Sequence, residues 1–172
     1  RGACFVAANL QDCKFNGAKL DSATFEGADA SRADFTGASA RDANLFAAKI
    51  QSAIIKDADF TRAYMPHARV DDLEHDEIPV DRGAPDELRV DGSDFNFADL
   101  GHARLDGAKI EGSSFEYADL SGVSLANADI RRCNMRHANL ERAILNNCQI
   151  IETDLSGALL RDAEARKAKF KE

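Results

Sequence analysis

The side chains that most often perform catalysis or bind metals are spread thinly along this chain. Its four histidines lie far apart in the sequence and are His67, His75, His102 and His137. His102 has no metal partner at ligand spacing and no nucleophile motif beside it. Glu74, His75 and Asp76 are consecutive and could chelate a metal weakly, but an acidic run is usually a solvated segment. No phosphate-binding GxxxxGK loop occurs. The sequence therefore predicts no enzyme, no cofactor and no metal site.

Cysteine usage and hydropathy predict the compartment. None of the four cysteines belongs to a CxxC pair. Cys13, Cys133 and Cys148 fall at the small positions of the repeat described next, whereas Cys4 does not. This placement predicts buried free thiols in a reducing cytoplasm. Apolar stretches are only a few residues long, so neither a membrane span nor a secretory signal is expected. We therefore expect a cytoplasmic protein.

A five-residue period dominates the pattern of apolar side chains. Every fifth residue from 5 to 70, and again from 90 to 170, is apolar, which makes 31 positions in one phase. Two residues before each of them stands a small residue, which is Ala at 23 of the 30 positions outside the interrupted window. A helix advances about 100° per residue, so this period would scatter apolar side chains around a helix instead of forming a stripe.

The same period fits very short strands separated by corners. Residues two apart share one face of an extended chain, so Ala8 and Leu10 point inward together. Nine of the eleven glycines fall at one phase of the repeat, where the chain must turn. A five-residue unit cannot bury its own apolar face. The units must therefore stack into a solenoid with a core along its axis.

Several units carry a recognisable motif. Clear copies are Ala8-Asn9-Leu10, Ala98-Asp99-Leu100, Ala118-Asp119-Leu120, Ala128-Asp129-Ile130 and Ala138-Asn139-Leu140. They resemble the A(D/N)Lxx signature of pentapeptide repeat proteins. The resemblance implies an all-β, right-handed quadrilateral β-helix with four pentapeptides per coil. We expect coils over residues 1–70 and 90–165 and a charged tail or cap over 166–172. Because Arg1 already lies in the repeat phase, we expect a piece of a longer protein or an end covered by a partner.

One window, residues 71–89, breaks the repeat. It contains eight acidic and two basic residues, and its net charge of −6 is most of the chain's −8. Three interpretations stay open: a solvated insertion loop, a projecting acidic recognition element, and a degenerate coil that spans Val70 to Val90. The candidate partner-binding carboxylates are Asp71, Asp72, Glu74, Asp76, Glu77 and Asp81.

Two further surface candidates follow from a coil of twenty residues. Phe97, Tyr117 and His137 would stack into an outward ladder, which either stabilises neighbouring coils or binds a partner. Arg131, Arg132, Arg136 and Arg142 would form a basic cluster beside His137, which could hold the acidic loop of a second copy. That contact predicts self-association sensitive to salt.

The leading functional prediction is a non-catalytic scaffold that binds a protein partner, with no direct contact to nucleic acid or membrane. The alternative is a Qnr-like DNA mimic that binds or protects DNA gyrase or topoisomerase IV, as the resemblance implies for that branch of the family. Outside the window the coils carry 20 basic and 22 acidic residues, too even a balance for a duplex-like rod. A third alternative is a targeting or adaptor module of a larger effector or secretion-system protein.

Overall fold

The computed structural model describes residues 2–68 and 88–171. The chain winds through parallel bridges between residues twenty apart, such as Cys4 with Thr24 and Thr24 with Asn44. Six three-residue strands pair in parallel, in chain order, along one side. They are β1 Ile54–Lys56, β2 Arg89–Asp91, β3 Lys109–Glu111, β4 Asp129–Arg131, β5 Gln149–Ile151 and β6 Lys169–Lys171. The predicted right-handed quadrilateral β-helix is confirmed. Within the described ranges, no helix is long and apolar enough to cross a membrane.

Each coil has four faces, which we call A, B, C and D in chain order. Phe25, Ala30, Phe35 and Ala40 are the inward central residues of one coil, and all four are buried. Edges take the letters of the two faces they join, so the DA edge lies between face D and the face A that follows it. Residues of one phase stack along the axis, as Phe95 does on Phe115 with ring centroids 5.0 Å apart. The core is therefore a set of inward columns, one under each face.

Most corners are four-residue turns with a left-handed third residue. In one of them the N–H of Ala28 donates to the carbonyl of Phe25 at 2.8 Å, and Gly27 has a φ of 62°. A turn with positive φ only at its third residue matches type II, which favours Gly or Asn there. The predicted placement of glycine at corners is confirmed at eight of them. Asn, Asp, His, Ser and Arg take the same position elsewhere.

The Asp or Asn of the repeat motif holds the corner that follows it. The Oδ1 of Asp29 accepts the N–H of Ser31 at 3.1 Å, and Asn44 accepts the N–H of Phe46 at 2.9 Å. These contacts are Asx turns. Each gives a partner to a corner N–H that makes no hydrogen bond to the neighbouring coil. The motif therefore specifies the backbone at the corner as well as a polar outer surface.

The register of the coils jumps at the interrupted window. Ile55 pairs directly with Val90, and Asp59 with Asp94, so neighbours are 35 residues apart here instead of twenty. Residues 69–87, on which the insertion-loop, recognition-element and degenerate-coil interpretations of the window depend, lie outside the described residues. Ile55 and Val90 both lie on face C, and the 35 residues from one to the other exceed one coil by fifteen.

A column of hydroxyl and thiol side chains supports the CD edge. In the coils from Ile55 onward the chain bends at this edge without a tight turn, and the N–H of Ser93 donates to the Oγ of Ser113 at 3.1 Å. Likewise the N–H of Cys133 donates to the Oγ1 of Thr153 at 3.3 Å. Ser93 and Ser113 are buried, so these contacts satisfy backbone donors that water cannot reach. Four of the departures from Ala at the small position, Ser93, Ser113, Cys133 and Thr153, therefore have a structural cause.

Candidate functional site

The predicted aromatic ladder exists at the DA edge. The rings of Phe97 and Tyr117 are 5.3 Å apart and 5° from parallel, and those of Tyr117 and His137 are 4.8 Å apart. Each residue has a φ near 58°, because each stands at the left-handed position of its corner. Phe97 is 58% exposed and Tyr117 51% exposed. The stacking inferred from the twenty-residue spacing is confirmed, and its outer surface is open to a ligand.

Both ends of the ladder are defined by the residues beside it. Below Phe97 in the same column stands Arg62, whose guanidinium bonds both oxygens of Asp42 at 2.7 and 2.8 Å. At the other end the imidazole of His137 lies over Gly157, where an added Cβ would collide with the ring. The ladder is therefore a segment three rings long between an ion pair and a glycine.

A second aromatic group lies on face A and its other edge, AB. His67 and His102 stack with centroids 5.8 Å apart. The ring of Phe46 contacts those of His67 and Tyr64 at 5.6 and 6.1 Å. Sequence reasoning missed this group because His67 and His102 are 35 residues apart and align only once the register jump is known. The off-phase position of Phe46 was the available signal.

Face A carries a short acidic strip between these two edges. Asp99 and Asp119 are stacked one coil apart as partners in a parallel bridge. The Oδ1 of Asp99 accepts a hydrogen bond from the N–H of Gly101, and the Oδ1 of Asp119 accepts one from the N–H of Ser121, both at 2.9 Å. Among the described residues, every Phe and Tyr outside the five-residue core phase, and every His, lies on face A or its edges. One side of the solenoid is therefore chemically distinct from the other three.

The predicted basic cluster does not form one patch. Arg131 and Arg132 stand at the CD edge, Arg136 at the DA edge beside His137, and Arg142 at the AB edge, because one coil carries them around three corners. Three of these four arginines also have acidic partners. Arg131 bonds Asp129 at 2.7 Å, and that hydrogen bond raises the pKa of the Arg131 guanidinium.

Arg132 and Arg136 are paired with carboxylates as well. Arg132 forms an ion pair with Glu111, and Arg136 lies 3.9 Å from Asp154. The hydroxyl and N–H of Ser156 hold the pKa of the Asp154 carboxyl below its ordinary value. The prediction of a single basic cluster is therefore wrong.

The acidic candidates of the window are Asp71, Asp72, Glu74, Asp76, Glu77 and Asp81, and all six lie outside the described residues. The described chain ends its first range at Ala68, which precedes face B, and begins its second range at Leu88, which precedes face C.

The cysteines are free thiols without an evident reactive role. Cys133 and Cys148 are buried as predicted, Cys13 is half-buried and Cys4 is exposed. Burial raises the pKa of the Cys148 thiol to about 11, which disfavours the nucleophilic thiolate. In the described parts of the chain, no group of three or more His, Cys, Asp or Glu side chains is arranged to hold a metal ion.

Comparison with known proteins assigns the family. The model of pentapeptide repeats matches eight copies over residues 3–39, 91–125 and 124–162. These ranges cover more than half of the chain, so the chain belongs to the pentapeptide repeat family. No curated protein matches its sequence.

Solved structures give the same fold. HetL, a pentapeptide repeat protein involved in heterocyst differentiation regulation from the cyanobacterium Nostoc sp. strain PCC 7120, is similar at a TM-score of 0.72 and 26% identity. That match covers 98% of this chain and 78% of HetL. Rfr23 from the cyanobacterium Cyanothece 51142 matches 65% of this chain and 63% of its own at 23% identity and a TM-score of 0.47. Full-length QnrB1, a plasmid-mediated fluoroquinolone resistance protein, matches 98% of this chain and 92% of its own at 15% identity and a TM-score of 0.31.

Proposed function

We propose that this chain is a non-catalytic scaffold that binds a protein partner through face A and its two aromatic edges. The ladder of Phe97, Tyr117 and His137 carries the proposal, because it presents exposed rings on a backbone fixed by the coils. Aromatic residues are enriched at protein interfaces and bury about 150 to 250 Å² each. Rings already held in a stack lose little side-chain freedom on binding, which favours affinity.

The likeness to HetL supports a regulatory role exerted through protein contact. HetL is involved in the regulation of heterocyst differentiation, and its match spans nearly all of this chain. We carry over only the class of role. The cytoplasm as its location is part of the proposal and rests on composition and cysteine usage.

The Qnr-like alternative has less support from the surface charges. A DNA mimic needs columns of carboxylates free to meet a basic protein surface. Here corner carboxylates are paired along the axis, Asp12 with Arg32 at 2.8 Å and Asp42 with Arg62 at 2.7 Å. The guanidinium hydrogen bonds hold the pKa values of both carboxyls below their ordinary range. In each pair the guanidinium offsets the negative charge of the carboxylate, which favours a partner that recognises something other than sustained negative charge.

The proposal is tested by site-specific photo-cross-linking in cells. A benzoylphenylalanine at position 117 should cross-link to a discrete protein, because it replaces an exposed ring on the ladder. The matched control carries the same group at Gln149, an exposed position of β5 on face C. The purified partner should then bind the parent chain at least tenfold more tightly than a Phe97→Ser/Tyr117→Ser variant. Equal cross-linking from both positions, or none from 117, would overturn the proposal.

A further inference from the structure

We infer that acid opens the solenoid locally at the AB edge of the window junction, which is the contact between the coil of residues 53–68 and the coil of residues 88–103. Protonation of His67 and His102 starts the opening, and weak contacts between the two coils allow it. Such an opening occurs with or without a bound partner. It adds a pH-sensitive conformational change to the proposed scaffold.

The longest hydrogen bonds between coils lie at the window junction. The N–H of His67 donates to the carbonyl of Gly101 at 3.4 Å, and the N–H of Arg89 donates to the carbonyl of Ala53 at 3.2 Å. Outside the ladders of β1 to β6, these are the two longest backbone bonds between coils in the described ranges. Bonds on faces D and A of the same junction are 2.7 to 2.9 Å long. Because hydrogen bonds weaken as they lengthen, the junction is weakest beside the window.

The core of the junction is also incompletely filled. A cavity of about 10 Å³ lies between the two coils, and its apolar lining includes Ile50, Ile55 and Met65 on one side and Leu88 and Val90 on the other. Atoms beside a void lose the dispersion contacts that close packing would give them. The two coils therefore adhere less tightly here than a fully packed core would allow.

The stacked imidazoles lie across this junction. His67 belongs to the coil before the window and His102 to the coil after it, with ring centroids 5.8 Å apart and planes 12° from parallel. Both residues are exposed, and neither forms an ion pair with a carboxylate of the described ranges. Histidine ordinarily gains its proton near pH 6.5. Acid therefore places two positive charges on opposite sides of the longest bond between coils.

The surrounding charges do not neutralise this pair. The titratable groups of the described ranges that lie on the two adjoining faces within one coil of the pair are Tyr64, Asp99 and Asp119 on face A, and Lys49 and Arg104 on face B. Two carboxylates against two cations leave no net negative charge for the imidazolium pair. The repulsion of two unit charges 5.8 Å apart in water shifts an equilibrium by about threefold.

The aromatic groups of face A lie on both sides of the junction. Phe46 and Tyr64 precede it, whereas Phe97 and Tyr117 follow it. A local opening therefore changes the spacing between these groups. Acid would in this way regulate the surface that we propose as the binding face.

Native-state hydrogen exchange of the ¹⁵N-labelled chain tests the opening at single amides. The reporters are the N–H groups of His67 and Arg104, which bond across the junction to Gly101 and Ala68. After correction for the intrinsic exchange rate at each pH, their protection should fall about threefold or more between pH 7.5 and pH 5.0. The N–H of Gly122, at the same edge one coil farther on, should change by less than about 1.5-fold.

Variants identify the groups that respond to acid. His67→Asn and His102→Asn each remove one charge and keep the corner, because Asn127 and Asn147 take the same left-handed position at another edge. In either variant the protection of Arg104 should no longer depend on pH over this range. The matched control is His137→Asn, since that ring stacks on Tyr117 and not on a second histidine, and it should respond to pH as the parent does.

Four results would overturn the assignment. The first is unchanged protection of both reporters between the two pH values, and the second is a full response in His67→Asn and His102→Asn. The third is loss of the response in His137→Asn, which would move the sensitive group to the DA edge. The fourth is an equal fall at the N–H of Phe25, which bonds Asn44 at 2.6 Å far from the junction, because that result indicates global destabilisation.

Discussion

Replacement of Ser113 by Ala tests the hydroxyl column at the CD edge. Alanine is the usual residue at this phase, so the repeat pattern alone predicts a neutral or stabilising change. The structure predicts the opposite. The Oγ of Ser113 accepts the N–H of Ser93 at 3.1 Å and donates to the carbonyl of Glu111 at 3.1 Å, and both serines are 2% exposed.

The expected cost follows from those two bonds. Without the hydroxyl the N–H of Ser93 stays buried with no acceptor, which costs about 1–3 kcal/mol. The carbonyl of Glu111 still accepts the N–H of Gly92 at 2.9 Å, so the loss of its bond from Ser113 adds little to the cost in stability. The lost volume is a single oxygen atom, so the cavity contribution is small. We expect a loss of about 2 kcal/mol in the free energy of unfolding, a large share of the roughly 5–15 kcal/mol typical of a domain.

The assay is urea unfolding followed by far-ultraviolet circular dichroism. Ser113→Thr and Ser113→Cys should lose much less than Ser113→Ala, because Thr153 and Cys133 perform the same task in the same column. The control is Ser121→Ala, the same substitution at a corner outside the column. The reasoning is refuted if Ser113→Ala unfolds within about 0.5 kcal/mol of the parent, the usual limit for surface changes.

Four further predictions concern the core, the register, a corner and acid. Phe115→Asp buries a charge at a position 2% exposed and should destabilise the fold by more than about 4 kcal/mol; a melting curve like the parent's contradicts its inward placement. Deletion of residues 73–87 restores the twenty-residue register and should leave the melting temperature within about 5 °C of the parent's. A deletion three residues longer leaves too few residues to complete a coil and should impair folding, and equal behaviour of the two would contradict the register. Gly157→Ala forces a Cβ against the imidazole of His137 at a φ of 74° and should cost about 1–2 kcal/mol in urea unfolding, partly restored by His137→Ala; no rescue would exclude the clash. The hydroxyl and N–H of Thr36 and the amide of Asn16 lower the pKa of Asp34, so its contribution is present above the unfolded value near 4 and is lost as pH falls through the folded value. The urea midpoint should drop between pH 5 and pH 2, less so in Asp34→Asn, and a flat profile would contradict this.

The sequence predicted the coil and most of its columns. Its five-residue period leaves one way to bury an apolar residue and a small residue together, and twenty residues per coil then places Phe97, Tyr117 and His137 in line. Both inferences depend on local spacing alone. The ladder could therefore be predicted from the sequence alone.

The basic cluster could not be resolved in this way. Arg131, Arg136 and Arg142 are near in sequence, but a coil only twenty residues around turns two corners between the first and the last. Proximity along the chain therefore exaggerates proximity in space. The pairing of Arg131 with Asp129 and of Arg136 with Asp154 also depends on side-chain conformations that the repeat does not specify.

The sequence by itself determined the repeating unit, because every five-residue unit must bury one large apolar side chain and one small side chain at the same two positions. Only the tertiary structure decided how the units meet across the window, because the pairing of Ile55 with Val90 depends on which backbone edges come together. That pairing stacks His67 on His102 and completes the second aromatic edge of face A. The ladder at the DA edge of face A thus follows from local repetition. The histidine stack at its AB edge follows from a register that only backbone hydrogen bonding between distant residues specifies.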